Sequence, residues 1–182
     1  MIYFTSDNHF FHSNIIKYCK RPFNSMEEMN KEMIKRWNEV VQNKDTVFHL
    51  GDFGMSKSSE APDAPKDPLN SIRQQLKGNI IFIKGTHDDN NKNKSIIESI
   101  IINYGGHRIY MTHDPKYYRK DFEWNFCGHT HGNEGTFRKI GKSIIVDLSV
   151  DCWDFRPVDI NEINQAYSEW RRRGSKNEQK KN

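Results

Sequence analysis

The chain has 182 residues, a size that suits one domain, with 35% hydrophobic and 29% charged residues and a mean hydropathy of −0.91. No run of about 18 apolar residues offers a membrane span, and Met1-Ile2-Tyr3-Phe4 lacks a basic stretch followed by an apolar one, so membrane insertion and secretion are not expected. The formal charge of +4 is concentrated at one end: residues 171–182 hold six basic groups and one acid, so the remaining body sits at −1 and a basic face spread over the domain is excluded.

Ile2 to Thr5 is predicted as a short buried strand that stops at the polar cluster Ser6-Asp7-Asn8-His9. Ser25-Met26-Glu27-Glu28 has the form of a capping box, and Met29, Met33, Ile34, Trp37, Val40 and Val41 follow at three- and four-residue spacing, which predicts an amphipathic helix ending near Val41. Thr46 to Leu50 is the next predicted strand, broken by Gly51-Asp52. The stretch from Ser56 to Pro68, with Pro62 and Pro65 inside it, predicts an irregular loop, and Leu69 to Leu76 a short helix. Ile80 to Ile83 then reads as a strand broken by Lys84-Gly85-Thr86-His87-Asp88.

Farther along, Ser95 to Ile102 is read as a helix, and Arg108 to Thr112 as a strand that delivers His113. Asn125 to Cys127 delivers Gly128-His129-Thr130-His131, Ser143 to Val150 is a further strand, and Asp159 to Trp170 a helix with Ile160, Ile163 and Tyr167 on one face. Residues 171–182, polar and without apolar anchors, are expected to form a disordered tail beyond a domain spanning 1–170. Contact with nucleic acid through that tail is the minor reading of its charge. Cys19, Cys127 and Cys152 are odd in number, widely spaced and free of CxxC, which argues for a reduced, cytoplasmic chain rather than a disulfide scaffold.

Five polar clusters thus follow five apolar strands: Asp7-x-His9, Gly51-Asp52, Gly85-Thr86-His87-Asp88, His113 and Gly128-His129-x-His131. Each alone is ordinary, since an Asp after a strand usually serves a turn. Together they are Asp and His donors gathered at strand ends, the edge of an α/β sheet where ligands collect, and that pattern points to divalent-metal chemistry. The glycines before Asp52, Thr86 and His129 allow sharp turns and close backbone approach. His49, one residue before Gly51-Asp52, reads either as support for that cluster or as a satisfied core histidine; His12 and His107 have no partner in the pattern.

The ordered clusters resemble the signature of the calcineurin-like metallophosphoesterases, over residues 2 to about 160, in the manner of the small single-domain bacterial and phage members. The resemblance implies an α/β fold, a four-layer αββα sandwich of two mixed sheets flanked by helices. It implies two divalent metal ions (Mn²⁺, Fe or Zn²⁺), one held by Asp7, His9, Asp52 and His131 and the other by Asp52, residue 86, His113 and His129. It implies in-line attack on phosphorus by a hydroxide shared between the ions, with His87 as general acid and Asp88 orienting it. The chain departs from the family at Thr86, where Asn is usual. A hydroxyl is a poorer donor than an amide oxygen, which leaves open a tolerated variant, a change that weakens catalysis, or a degraded enzyme. The substrate expected is a small, nucleotide-like phosphodiester. The alternatives are phosphomonoester or phosphoprotein hydrolysis, and a catalytically impaired binding scaffold of the same fold.

Overall fold

A computed structural model describes residues 1–56, 67–88 and 95–179. Strands β1 (Ile2–Thr5), β2 (Thr46–His49) and β3 (Asn79–Phe82) pair in parallel, and β9 (Val158–Asp159) adds antiparallel to β1, giving the order β3-β2-β1-β9. The second sheet takes β4 (Ser99–Tyr104), β5 (His107–Thr112), β6 (Trp124–Cys127), β7 (Phe137–Ile140) and β8 (Ser143–Asp147) in the order β4-β5-β6-β8-β7. In it β5, β6 and β8 run parallel, and the edges β4 and β7 are antiparallel. Two mixed sheets with flanking helices result, as the resemblance implies.

Alternation along each strand assigns the faces. Phe4 and Phe48 pack with Ile109, Met111, Trp124, Phe126, Ile144 and Val146 in a core shared by both sheets, closed by Ile160 and Ile163 of α4 (Ile160–Gln179). Tyr3 and Val47 point the other way, into a second core with Met29, Met33 and Trp37 of α2 (Met26–Val40) and Leu69 and Ile72 of α3 (Pro68–Gln75). The capping box forms: Ser25 Oγ accepts from Glu28 N at 3.1 Å, while the Glu28 carboxylate reaches back to Asn24 N at 2.8 Å. Asp67 caps α3, with Pro68 in its first turn; most of the expected proline loop, residues 57–66, lies outside the described residues. Helix α1 (Ser13–Tyr18) had no clear signature in the sequence. All four tryptophans pack, with Trp124 between His107 and Tyr167 at ring separations of 4.6 and 5.2 Å.

Two expectations are corrected. Residues 99–102 are not helical but form most of β4, paired along its length with β5. Three consecutive β-branched isoleucines, 100–102, fit a pleated edge better than a helix, and a hairpin turn at Gly105-Gly106 (φ 59° and 80°) sets the register. At the other end α4 continues through residues 171–179, which were expected as disordered tail. Arg, Lys, Glu and Gln are good helix formers, and a helix already anchored by Ile160 and Ile163 needs no apolar residues to propagate. No helix among the described residues is long and apolar enough to cross a membrane.

A candidate metal centre between the sheets

The carboxyl ends of β1, β2 and β3 meet those of β5, β6 and β8 along one edge of the molecule, and every sequence-predicted cluster sits there. The loops continue the pairing beyond the strands: Asp7 N donates to Gly51 O at 3.0 Å and His9 N to Asp52 O at 3.1 Å. A bridge between Ser6 and Ser149 then ties one sheet to the other. Close approach explains two glycines. A Cβ on Gly85 would lie 2.2 Å from Asp52 N, and one on Gly128 would lie 2.1 Å from the Asp7 carboxylate.

Three donor groups form there among the described residues: Asp7-His9-His131, Asp52-His113-His129 and, behind His131, Cys19-His131-Asp151; the first two hold the sequence-predicted residues, with His129 exposed. In the first, His9 Nε2 and His131 Nε2 lie 3.8 and 3.7 Å from Asp7 Oδ1. In the second, His113 Nε2 is 3.4 Å from Asp52 Oδ2 and 3.3 Å from His129 Nδ1. His9 Nε2 is also 3.8 Å from Asp52 Oδ2, which puts Asp52 between the groups, in the bridging place the resemblance gives it. Donors about 2.1 Å from an ion at tetrahedral angles stand roughly 3.4 Å from one another, so these spacings suit a cation. Asp7 Oδ1 and His9 Nε2 are buried and have no hydrogen-bond partner, a costly state for two polar atoms unless something else engages them. The residues therefore fit divalent ions.

Five of the six donors, Asp7 (φ 57°), His9 (52°), Asp52 (54°), His129 (72°) and His131 (49°), hold left-handed backbone conformations. Such conformations are uncommon away from glycine and collect at functional sites.

The opposite ring nitrogens are fixed by other groups. His113 Nδ1–H donates to Leu50 O at 2.8 Å, and His131 Nδ1–H donates to Asp151 at 2.8 Å, leaving each Nε2 facing inward. Asp151 in turn accepts from Arg21 Nε and Nη2 at 2.8 and 2.9 Å, and the same buried guanidinium donates to the carbonyls of Asn8 and Asp7 at 2.8 Å each. Asp147 takes Gly132 N at 2.9 Å and Ser149 Oγ at 2.6 Å, and Ser149 Oγ also reaches Asp7 Oδ2 at 3.1 Å. Asp151 lies in Val150-Asp151-Cys152-Trp153-Asp154, a segment that shares in the family resemblance, and Asp147 and Ser149 lie in the predicted strand Ser143 to Val150, but none of these three, nor Arg21, takes a role at the site from sequence alone.

Electrostatics follow the geometry. Burial alone would lower His131 and His113, but the carboxylates of Asp151 and Asp7 raise the first to about 10, and Asp52 and Asp7 raise the second to about 9. Burial pushes the Asp7 carboxyl up, against the nearby imidazoles, whereas at Asp52 burial, the largest single influence, is outweighed by the His113 bond and charge, the His87 backbone N–H and the His9 charge together, which hold it below the usual range. His9, deeply buried, is pushed well down. His49 is a satisfied core histidine that also supports the site: its Nδ1 accepts from Gly51 N at 3.2 Å, its Nε2–H donates to Asn8 at 2.9 Å, and burial pushes it to about 3.

Of the remaining candidates, His87 is exposed at the mouth, its ring 6.1 Å from that of His9, and its N–H donates to Asp52 Oδ1 at 2.8 Å. Asp88, expected to orient His87, is buried and accepts from Gly85 N at 2.7 Å, Asp52 N at 3.1 Å and Phe53 N at 3.2 Å. It pins together the turns that carry Asp52 and His87. Thr86 is exposed beside His113, on the wall of a recess of about 530 Å³. His12 stands at the rim, 3.4 Å from His9 Nδ1. Arg108 lies over the Phe122 ring at 4.4 Å, and His107 meets Asn164 at 3.1 Å.

Fold and site together define an α/β protein with a candidate Asp/His metal centre on facing sheet edges. The chain belongs to the calcineurin-like phosphoesterase superfamily, whose domain model matches residues 1–147. It is 39% identical over 166 residues to an uncharacterized protein of Methanocaldococcus jannaschii, covering 89% of this chain and 88% of that one. It is also similar to the crystal structure of a protein of unknown function from Aquifex aeolicus, with a TM-score of 0.70 and 25% identity over 91% of this chain and 98% of that one.

Proposed function

We propose that this chain hydrolyses a small, nucleotide-like phosphodiester with the help of two divalent ions, Mn²⁺, Fe or Zn²⁺. The observation that carries the reading is the pair of donor groups meeting at Asp52, with the buried Asp7 Oδ1 and His9 Nε2 lacking a hydrogen-bond partner among the described residues. Asp7, His9, His131 and Asp52 would hold one ion, and Asp52, His113, His129 and the Thr86 hydroxyl the other. When bound, the ions supply an activated water and offset the charge on the phosphoryl oxygens. Asp52 fixes the spacing of the two positions, and the His87 N–H holds Asp52 in place. With the ions bound, the water would give one proton to solvent and form the new bond to phosphorus as the bond to the opposite ester oxygen breaks, and the His87 ring would give that oxygen a proton and regain one from solvent. Proton donation of this kind contributes ~100- to 10,000-fold. A body close to neutrality disfavours long polyanions, which supports a small substrate. We place the reaction in the cytoplasm, in keeping with three free cysteines.

The test uses bis(p-nitrophenyl) phosphate and p-nitrophenyl phosphate with protein loaded with Mn²⁺, Fe²⁺ or Zn²⁺. Faster turnover of the diester, lost in Asp52→Asn and reduced in His87→Ala at unchanged metal content, supports the reading. Preference for the monoester would make the chain a phosphomonoesterase. Inertness of both esters with every metal, in wild type and in Thr86→Asn, would leave the scaffold reading.

A further inference from the structure

The recess beside His113 has a definite chemistry. Its walls are the turn after β3 (Gly85, Thr86), the end of β5 (Tyr110, Thr112) and the residues that follow it, with Ser99 paired beside Thr112 on β4 and Glu98 next to it. An occupant would therefore abut the Asp52-His113-His129 donor group on one side. About 530 Å³ lies within the ~300–1,000 Å³ typical of small-molecule sites.

Apart from His113 at the end next to the donor group, the wall charges pair off: Lys84 and Lys116 against Glu98 and Asp114, with Lys116 Nζ 2.6 Å from the Asp114 carboxylate. Such a recess does not select a second anion. Hydroxyls of Thr86, Ser99 and Thr112, which both donate and accept, suit a polar neutral group. At its lip the Tyr117 ring is 60% exposed, with the Lys116 ammonium 4.8 Å from its centroid, so the ring has open surface on which a flat group can stack.

Building on the phosphodiesterase reading, we propose that this recess binds the nucleoside of the substrate, with the base stacked on Tyr117 and the sugar hydroxyls against Ser99 and Thr86. A neutral, flat, hydrogen-bonding group matches an aromatic lip and hydroxyl walls whose lysines and carboxylates offset one another away from His113; a lipid-like group would want apolar walls, and a second phosphate an excess of cations at the outer wall. Thr86 acquires a use here that the usual Asn does not explain, since its smaller side chain leaves room on the recess side of the centre.

The experiment compares two chromogenic diesters on Mn²⁺-loaded protein, the p-nitrophenyl ester of thymidine 5′-phosphate and methyl p-nitrophenyl phosphate, whose non-leaving group has no ring to stack, and measures adenosine 5′-monophosphate binding by calorimetry. Stacking on an aromatic side chain contributes ~1–3 kcal/mol per base, so Tyr117→Ala should raise KM for the nucleotide ester by about 10- to 100-fold and weaken the monophosphate similarly. The same change should leave methyl p-nitrophenyl phosphate nearly untouched, Tyr117→Phe should behave as wild type, and Ser99→Val should hinder the nucleotide ester alone. Equal losses on both esters, or binding of the monophosphate that ignores Tyr117, would overturn the assignment while the phosphodiesterase reading stood. Conversely, Tyr117-dependent binding by a protein that hydrolyses neither ester would support the recess and overturn the catalytic reading.

Discussion

Removing the Asp151 carboxylate should damage both the fold and the first ion position, by amounts the contacts allow one to gauge. Asp151 accepts from two nitrogens of a buried Arg21 and from His131 Nδ1. In Asp151→Ala the guanidinium loses its counter-charge without regaining water, a change that costs ~3–5 kcal/mol when one partner of a buried pair is deleted. For a domain of this size each kcal/mol moves Tm by roughly 2–4 °C, so metal-free Asp151→Ala should melt about 6–20 °C below wild type. With its Nδ1–H released, His131 can turn or change tautomer, and loss of such an outer partner typically weakens metal binding about 10- to 100-fold. Circular dichroism melts of chelated protein and calorimetric titration with Mn²⁺ read the two effects separately. Asp151→Asn keeps an acceptor for His131 without the charge, and should retain more metal affinity than Asp151→Ala. An Asp151→Ala protein with unchanged Tm and unchanged Mn²⁺ affinity would refute the view that Arg21 and Asp151 hold His131 in place.

The raised values of His131 and His113, about 10 and 9, make both imidazoles stabilising when protonated in the metal-free chain. That stability is complete below their unfolded value near 6.5 and fades as pH climbs through 9 and 10, so the chelated protein should lose Tm from pH 7 to 10. Mn²⁺ must displace the same protons, so its apparent affinity should rise over that interval; a flat profile would contradict the assignment of these donors. Asp88→Ala strands three backbone N–H groups and should destabilise by ~2–4 kcal/mol, seen as a lowered urea midpoint, with turnover falling as the His87 turn loosens. Gly128→Ala places a methyl on the Asp7 carboxylate and should reduce metal content in the purified protein, measured by elemental analysis.

Much of the site was legible because strand-ending polar clusters report local chemistry: a short β-rich run followed by Gly-Asp or Gly-His-x-His reads without knowledge of its neighbours. The partners of those residues were not. Arg21 sits in a loop with no periodicity to mark it, and it meets Asp151 across 130 residues of chain. Asp88 shows a related difference, since adjacency to His87 suggested a side-chain role while its carboxylate serves amides of two separate turns. In the fold, the isoleucine run of β4 misled because helical and strand patterns overlap in short apolar segments, and only pairing with β5 decides between them. The basic end of α4 misled for the opposite reason, as composition describes solubility and says little about propagation from an anchored helix.

The left-handed backbone at five donors has a consequence for the life of the protein in the cell. Each such residue costs of order 1 kcal/mol relative to an ordinary conformation, so the five together consume about 5 kcal/mol out of the 5–15 typical of a domain. Ions that bind only the folded chain return that loss by mass action. Starved of metal, the protein would spend more of its time open and be cleared by proteases sooner. Metal supply would then govern how much of it exists as well as how fast each copy works.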